Sequence, residues 1–193
     1  MPRRVYIVGA GGSGKTTLAR TFASVLNVEP VELDLNPRAD RRALAEADAW
    51  VVEGIFLYDI EPLLARASTI VWLDLPRRIA QRRIVTRHVR RSLLRQNRYK
   101  GMRLLWRFVR SMRQYYIKPA REPVAADDWD ALSRALTIQR LDPHSGKVVQ
   151  LRTPREVRTF LRQLGVGRPL VHRRAADDAP APSGPDDLGR MTS

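Results

Sequence analysis

A short glycine-rich stretch between two regular segments constrains this chain more than any other feature. Residues 9–16 read G-x-x-x-x-G-K-T. They follow "VYIV" (5–8), a β-branched run typical of a buried strand, and lead into "TTLARTFASVL" (16–26), whose apolar residues recur at helical spacing. Because glycine has no Cβ, such a loop can turn several N–H groups toward one point at the start of a helix. The pattern therefore predicts a phosphate-binding loop between a strand and a helix.

The spacing of the motif also predicts what each part of the loop contacts. Lys15 is expected to reach the β- and γ-phosphates of a nucleoside triphosphate, and the Thr16 hydroxyl is expected to hold Mg²⁺. We therefore predict that the chain uses ATP and Mg²⁺. The residues expected to contact the nucleotide are Gly9, Ala10, Gly11, Gly12, Ser13, Gly14, Lys15, Thr16 and Thr17.

Beyond the loop, apolar strands alternate with helical segments. Further strands are predicted at 30–35, 50–56, 69–73 and 147–152, with short helices from near Pro37 and at 59–67. This alternation predicts an α/β fold of the P-loop NTPase class, with a parallel, doubly wound sheet and helices on both faces. The length of 193 residues suits one domain, which we place at 1–172.

The second half of the chain is predicted to be mainly helical. A long helical region is expected from Pro76 to about Lys118, broken near Gly101, and Thr153 is expected to cap a last helix that ends at Gly165. The stretches 136–141 and 147–152 flank "DPHSG", so we predict a possible hairpin there. Residues 173–193, with little but Ala, Pro, Asp, Gly and Ser, are predicted to form a disordered tail.

Three acidic side chains come at the ends of predicted strands, where ligands bind in doubly wound sheets. Asp34 is placed to act as a base on an acceptor hydroxyl, although an acid at this place may simply cap a loop. Glu53 is our first choice to reach Mg²⁺, and Asp74 is its rival. Asp74 precedes Leu75-Pro76, so it may equally be the N-cap of the helix that follows.

One strongly basic segment dominates the charge. Residues 75–121 contain 16 Lys and Arg and no Asp or Glu, whereas the rest of the chain holds 19 basic and 20 acidic side chains. We interpret about 76–121 as a basic helical lid over the nucleotide; a nucleic-acid surface and a solvated face are the alternatives. Arg83 and Arg87, four residues apart, are predicted to meet charge on the transferred phosphoryl group.

Part of this segment is also predicted to be an amphipathic helix. Its apolar positions are Leu105, Phe108, Val109, Met112 and Tyr116, and another face carries Arg103, Arg107, Arg110 and Gln114. Packing against the domain explains these aromatic residues better than base stacking does. We therefore favour the lid over the nucleic-acid surface.

Other features narrow the class of protein. The chain has no N-K-x-D stretch, which is typical of guanine-specific switch proteins, and no L-S-G-G-Q signature of transport ATPases. It has no cysteine and no apolar run near the ~20 residues of a membrane span, so we expect a cytoplasmic protein with no membrane partner. The oligomeric state is left open. What remains is the small-kinase branch of the phosphate-loop fold.

Two resemblances support that branch. "VVEGIFLYDIEPLL", "IVWLDLPRRIAQRRI" and "YYIKPAREPVAADDW" resemble segments of the uridine kinase family. The chain departs from that family after Asp34, where "LNP" replaces an aromatic-containing stretch, and after Ile84, where "VTRH" replaces Arg-Asp. "WLDLPRRIAQRRIVTR", "LLWRFVR" and "LRTPREVRTFL" are similar to the adenylate-kinase-like topology-modulation kinases. Together the resemblances cover roughly residues 3–164.

The sequence thus predicts an ATP- and Mg²⁺-dependent kinase for a small molecule. The resemblances imply a nucleoside or nucleoside monophosphate as the phosphate acceptor. A sugar, a polyol or an antibiotic is the alternative within enzymes. A nucleotide-dependent nucleic-acid-binding protein that uses the basic segment is the alternative from another class.

Overall fold

The computed structural model describes residues 3–36, 38–55, 57–93, 102–126 and 128–165. Within these residues the strands and helices alternate over most of the chain, as the sequence predicts. The strands are β1 (Arg4–Gly9), β2 (Pro30–Glu32), β3 (Trp50–Gly54), β4 (Thr69–Leu73) and β5 (Val148–Leu151). The helices are α1 (Lys15–Leu26), α2 (Arg41–Glu46), α3 (Glu61–Arg66), α4 (Arg77–Leu93), α5 (Met102–Ile117), α6 (Arg134–Leu141) and α7 (Pro154–Gln163).

The strands form one parallel sheet in the order β2-β3-β1-β4-β5. β1 lies at its centre, so the loop that follows β1 opens at the middle of the carboxyl edge. Strand order reverses beside β1, which is the place where doubly wound sheets bind their ligands. The predicted α/β class with a phosphate loop between β1 and α1 is confirmed.

Side chains alternate along the central strands and build two cores. Tyr6, Val52 and Ile70 face one side and pack with α2, α3 and α6. Ile7 and Val71 face the other side and pack with α1 and α7. Strands covered on both faces are continuously buried, which explains why these segments read as unbroken apolar runs. The predicted helices on both faces are therefore confirmed.

The structure corrects several boundaries. β2 ends at Glu32, not at 35, because the N–H groups of Leu35 and Asn36 bond back to the Glu32 carbonyl and turn the chain. α2 begins at Arg41 rather than near Pro37, because the Asp40 side chain accepts from two N–H groups of the first helical turn. Pro37, Phe56, the predicted break near Gly101 and the predicted tail at 173–193 lie outside the described residues.

The predicted hairpin is wrong. Residues 136–141 belong to α6, whose N-cap Ser133 accepts a hydrogen bond from the Leu136 N–H at 3.0 Å. β5 pairs in parallel with β4 instead of antiparallel with a neighbour in sequence. Short runs such as "LTIQRL" suit either period, and here burial of Leu136 and Leu141 in the core favours the helix.

The last helix follows the sequence prediction closely. Thr153 Oγ1 accepts from the Glu156 N–H at 3.1 Å, and the Glu156 carboxylate accepts from the Arg152 N–H at 2.8 Å. Gly165 ends the helix with φ of 69°, in the left-handed region that a glycine occupies at little cost.

Candidate functional site at the carboxyl edge of the sheet

The phosphate loop leaves the start of α1 open to an anion. The N-cap of α1 is Gly14, with φ of 101° and no side-chain capping bond, and the first turn has no acidic residue. The first N–H groups of a helix lack partners within the helix, and its dipole places partial positive charge there. A twelve-residue helix with this start has the geometry that suits an anion, and binding of phosphate there stays a prediction.

Two helices of the basic segment pack directly against this loop. A Cβ added to Gly11 would lie 2.7 Å from the Met112 sulfur of α5, and one added to Gly12 would lie 2.7 Å from the Ala80 carbonyl oxygen of α4. Gly12 also has φ of 79°. Glycine is therefore needed at Gly12 for close packing as well as for backbone shape, whereas at Gly11 it leaves room for the Met112 side chain. Whether the two helices open as a lid stays a prediction.

Lys15 joins the loop to two of the predicted carboxylates. Its side chain is 8 % exposed, and Nζ lies 3.8 Å from Asp34 Oδ2 and 3.9 Å from Glu53 Oε2. The loop lysine and the acids that follow β2 and end β3 are thus brought together, although they are far apart in sequence. This cluster of one cation and two anions, in which Lys15 and Glu53 are buried and Asp34 is partly exposed, is the centre of the candidate site.

Glu53 makes a second contact to the loop. Its Oε1 accepts a hydrogen bond from the Thr16 hydroxyl at 2.5 Å, while the buried Oε2 has no hydrogen-bond partner among the described residues. Burial raises the pKa of the Glu53 carboxyl, and the charge of Lys15 opposes that shift. A buried carboxylate oxygen without a hydrogen bond next to a threonine hydroxyl suits a hard cation.

This donor set fits Mg²⁺. Over the residues that the structure describes, no three His, Cys, Asp or Glu side chains gather as a metal cage. Mg²⁺ is usually held by one or two protein oxygens together with substrate phosphates and water, so no cage is required. Thr16 and Glu53 are the residues that would hold the ion, and this role stays a prediction.

Asp34 is fixed by the backbone of the neighbouring strand. Its Oδ1 accepts from the Ile55 N–H at 2.7 Å, and Oδ2 faces Lys15. A Cβ at Gly54 would lie 3.2 Å from Oδ1, so the glycine leaves room for the carboxylate. Asp34 lies in a turn after β2 rather than at the end of the strand. The hydrogen bond from the Ile55 N–H holds its side chain at the site.

Asp74 is engaged elsewhere. Its carboxylate accepts from Arg134 Nε at 2.8 Å and Nη2 at 2.7 Å, and from Gln150 at 2.7 Å. The guanidinium of Arg134 also lies 5.4 Å from the centre of the Trp72 ring. Asp74 therefore ties β4 to β5 and α6. This arrangement favours Glu53 over Asp74 as the residue for Mg²⁺.

The sequence does not predict the contact of Arg134 with Asp74. The sequence signal for it is indirect: Ser133 is a residue type that often caps a helix, whereas the hairpin prediction places a strand just after it. A helix predicted to begin after Ser133 would have Arg134 as its first residue, and that end of the helix lies beside Asp74 after β4.

Of the two arginines predicted to meet phosphate, Arg83 contacts the loop directly. Arg83 donates from Nη1 to the Ser13 carbonyl at 2.7 Å, and burial lowers the pKa of its guanidinium. Its Nη1 would lie 3.3 Å from a Cβ at Gly14. Arg87 lies one turn further along α4 and is exposed. Arg83 is thus beside the loop, and the role of Arg87 stays a prediction.

The remaining loop residues lie where the motif predicts. Ala10 and Ser13 are buried, and the Ser13 N–H closes a turn to the Ala10 carbonyl at 3.1 Å. Thr17 is exposed on the first turn of α1.

In the described part of the chain, no helix is long and apolar enough to cross a membrane.

Comparison with known proteins gives only distant similarities. No model of a known protein family matches the chain, and no curated protein matches it. Among solved structures, a shikimate kinase from Bacteroides thetaiotaomicron is 16% identical, with 85% of this chain and 96% of that chain covered and a TM-score of 0.43.

Two further structures are similar at the same level. Deoxyadenosine kinase from M. mycoides with bound dATP is 10% identical, with coverage of 83% and 98% and a TM-score of 0.43. A sugar kinase from Janibacter sp. is 18% identical, with coverage of 90% and 100% and a TM-score of 0.41. These comparisons do not confirm the resemblance to the uridine kinase family, and the function must be argued from the site itself.

Proposed function

We propose that this protein is an ATP- and Mg²⁺-dependent phosphotransferase that passes the γ-phosphoryl group of ATP to a hydroxyl of a small molecule. The observation that carries the proposal is the convergence of Lys15, Asp34 and Glu53 beside the phosphate loop. Phosphoryl transfer is mainly positioning and charge neutralisation. It needs an anion cradle, a cation, a metal-binding oxygen and a carboxylate for the acceptor, and these four features are within one cluster.

The cations have separate tasks in this proposal. Lys15, held between two carboxylates, brings positive charge to the phosphates, and the N-terminus of α1 adds its dipole. Arg83, tethered to the Ser13 carbonyl, keeps a guanidinium next to the loop. When bound, Mg²⁺ would neutralise phosphate charge, with Thr16 and Glu53 as its protein ligands.

Asp34 is suited to the acceptor. The Ile55 N–H holds one of its oxygens, which fixes the orientation of the carboxylate and leaves Oδ2 to accept a proton from a hydroxyl. A carboxylate would repel an acceptor that presents a phosphate to it, whereas it would orient a hydroxyl. We therefore infer a nucleoside rather than a nucleoside monophosphate within the predicted acceptor class. A sugar or polyol hydroxyl meets the same requirement.

The test is a screen for ADP production. Purified protein is mixed with ATP, Mg²⁺ and a panel of nucleosides, nucleoside monophosphates, sugars and polyols, with Lys15→Ala as the inactive control. We expect ADP release that depends on one acceptor class and on Mg²⁺. ATP hydrolysis that requires RNA or DNA and no small acceptor would contradict the proposal and favour a nucleic-acid-dependent ATPase.

A further inference from the structure

The outer face of α5 has an unusual combination of side chains. Trp106 is 59% exposed, and the residues three before, four after and seven after it are the exposed arginines Arg103, Arg110 and Arg113. Positions at these intervals lie on one side of a helix. We call these four residues the α5 outer face. A large exposed aromatic ring thus shares one side of the helix with three exposed arginines.

No acidic residue on the neighbouring helices offsets this charge. The sequences of α4, α5 and α6 contain no Asp or Glu. Three described acids that follow α5 pair with other cations: Asp130 with Lys118, Asp128 with Arg121, and Glu122 with Arg140. A concentrated positive field at an exposed surface attracts polyanions.

The α5 outer face is separate from the candidate active site. The opposite face of α5 is buried and includes Leu105, Met112 and Tyr115, and its Met112 contacts the phosphate loop at Gly11. Arginines on the far side of the helix therefore have no route to the phosphates in the loop. They need an explanation other than the transfer reaction.

We propose that the α5 outer face binds single-stranded nucleic acid. The arginines would pair with backbone phosphates, and Trp106 would stack on an unpaired base. Arg103 and Arg113 are separated by about 15 Å along the helix. That span matches roughly four phosphates of a stacked strand, so one short segment would contact the whole face. This function goes beyond phosphotransfer and does not depend on it.

An anionic membrane is the main rival, and the packing of α5 disfavours it. Interfacial helices bury a broad apolar face in lipid, but the apolar face of α5 is occupied by the protein core. Among the described side chains of α5, the large apolar ones that are exposed are Trp106 and Ile117, 59% and 56% exposed. Duplex nucleic acid is disfavoured as well, because its bases are already stacked and leave Trp106 without a partner.

The test measures binding of fluorescein-labelled oligo-uridine and oligo-deoxythymidine strands of about 15 nucleotides. Fluorescence anisotropy gives the dissociation constant at salt concentrations from low to high. We expect wild-type affinity to fall steeply with salt. Trp106→Ala should weaken binding about tenfold, whereas Trp106→Phe should retain most of it. Arg103→Ala/Arg110→Ala/Arg113→Ala should lower the salt slope by about two. The RNA and DNA arms show whether a 2′-hydroxyl contributes.

Helix α7 provides a control of equal charge. Arg155, Arg158 and Arg162 are exposed at similar spacing but surround no exposed aromatic residue. Replacing these three with Ala should change binding far less than the α5 triple variant does. Equal losses for the two triple variants, or no loss for Trp106→Ala, would overturn the proposal. Equal binding of duplex, or tighter binding of phosphatidylserine vesicles than of either strand, would overturn it as well.

Discussion

Helices α4 and α5 come from the same basic segment, yet their arginines have different surroundings. Arg83 of α4 points to the phosphate loop and bonds to its backbone. Arg103, Arg110 and Arg113 of α5 face solvent around Trp106. Both helices pack on the loop. In α4 the side that faces the loop carries Arg83, whereas in α5 that side carries Met112 and these three arginines lie on another side. Positive charge in a sequence therefore predicts affinity for anions, and the packing decides which anion each arginine can reach.

The largest expected effect is at the loop itself. Lys15→Ala should lower phosphotransfer by about 10²–10³-fold, because no other loop side chain can place a positive charge between the phosphates. The melting temperature without ligand should change little, but the rise on adding ATP should shrink. Turnover at the wild-type rate would show that the loop is not the site of transfer.

The next largest effect distinguishes arginine positions along α4. Arg83→Ala should reduce turnover roughly tenfold to a hundredfold, because its guanidinium lies beside the loop. Arg90→Ala, on an exposed part of the same helix, removes the same charge and is the matched control. We expect Arg87→Ala to fall between them. Similar losses in all three variants would mean that overall charge, not position, governs the reaction.

Substitutions of Asp34 and Glu53 should change different kinetic properties. Asp34→Asn should lower turnover while leaving ATP affinity nearly intact, because its proposed role is to act on the acceptor hydroxyl and not on ATP. Glu53→Gln should instead raise the Mg²⁺ concentration needed for half-maximal turnover. Titrating Mg²⁺ with both variants checks this division, and equal shifts in the Mg²⁺ requirement would contradict it.

The raised pKa of Glu53 predicts how its effect changes with pH. An acid that is harder to ionise in the folded state destabilises the fold when charged, so its cost is greatest above the folded-state pKa and disappears as pH falls through it. Without ligand, Glu53→Gln should melt above the wild type at pH 8. The gap should narrow toward pH 5. Melting curves at both pH values test this, and a constant gap would mean that Glu53 carries no such cost.

The smallest effect on turnover is expected on the α5 outer face. Arg103→Ala, Arg110→Ala and Arg113→Ala should each leave phosphotransfer within about twofold of the wild type, since surface charges far from reacting groups contribute little. ADP release under saturating substrate gives the measurement. Losses comparable to that of Arg83→Ala would place α5 in the catalytic site and remove the distinction between the two helices.

Much of the fold could be predicted because it follows from local patterns. β4 has its predicted bounds, and the Thr153 cap and Gly165 end of α7 follow from the chemistry of helix ends. The misassigned α6 shows the limit. "LTIQRL" fits both periods, and only the core that receives Leu136 and Leu141 makes it a helix. β2 ends where the backbone turns back to the Glu32 carbonyl, and the residue pattern of 30–35 does not indicate that turn.

The sequence by itself determined the phosphate loop, the parallel sheet class and the positions of acids after strands, because each depends on residues adjacent in the chain. Tertiary structure alone decided which contacts Asp34 and Asp74 make. Asp34 reaches Lys15 because the Ile55 N–H holds it, whereas Asp74 is taken by Arg134 from a helix sixty residues later. Those contacts join distant segments, and their formation depends on how the helices pack on the sheet rather than on any local pattern.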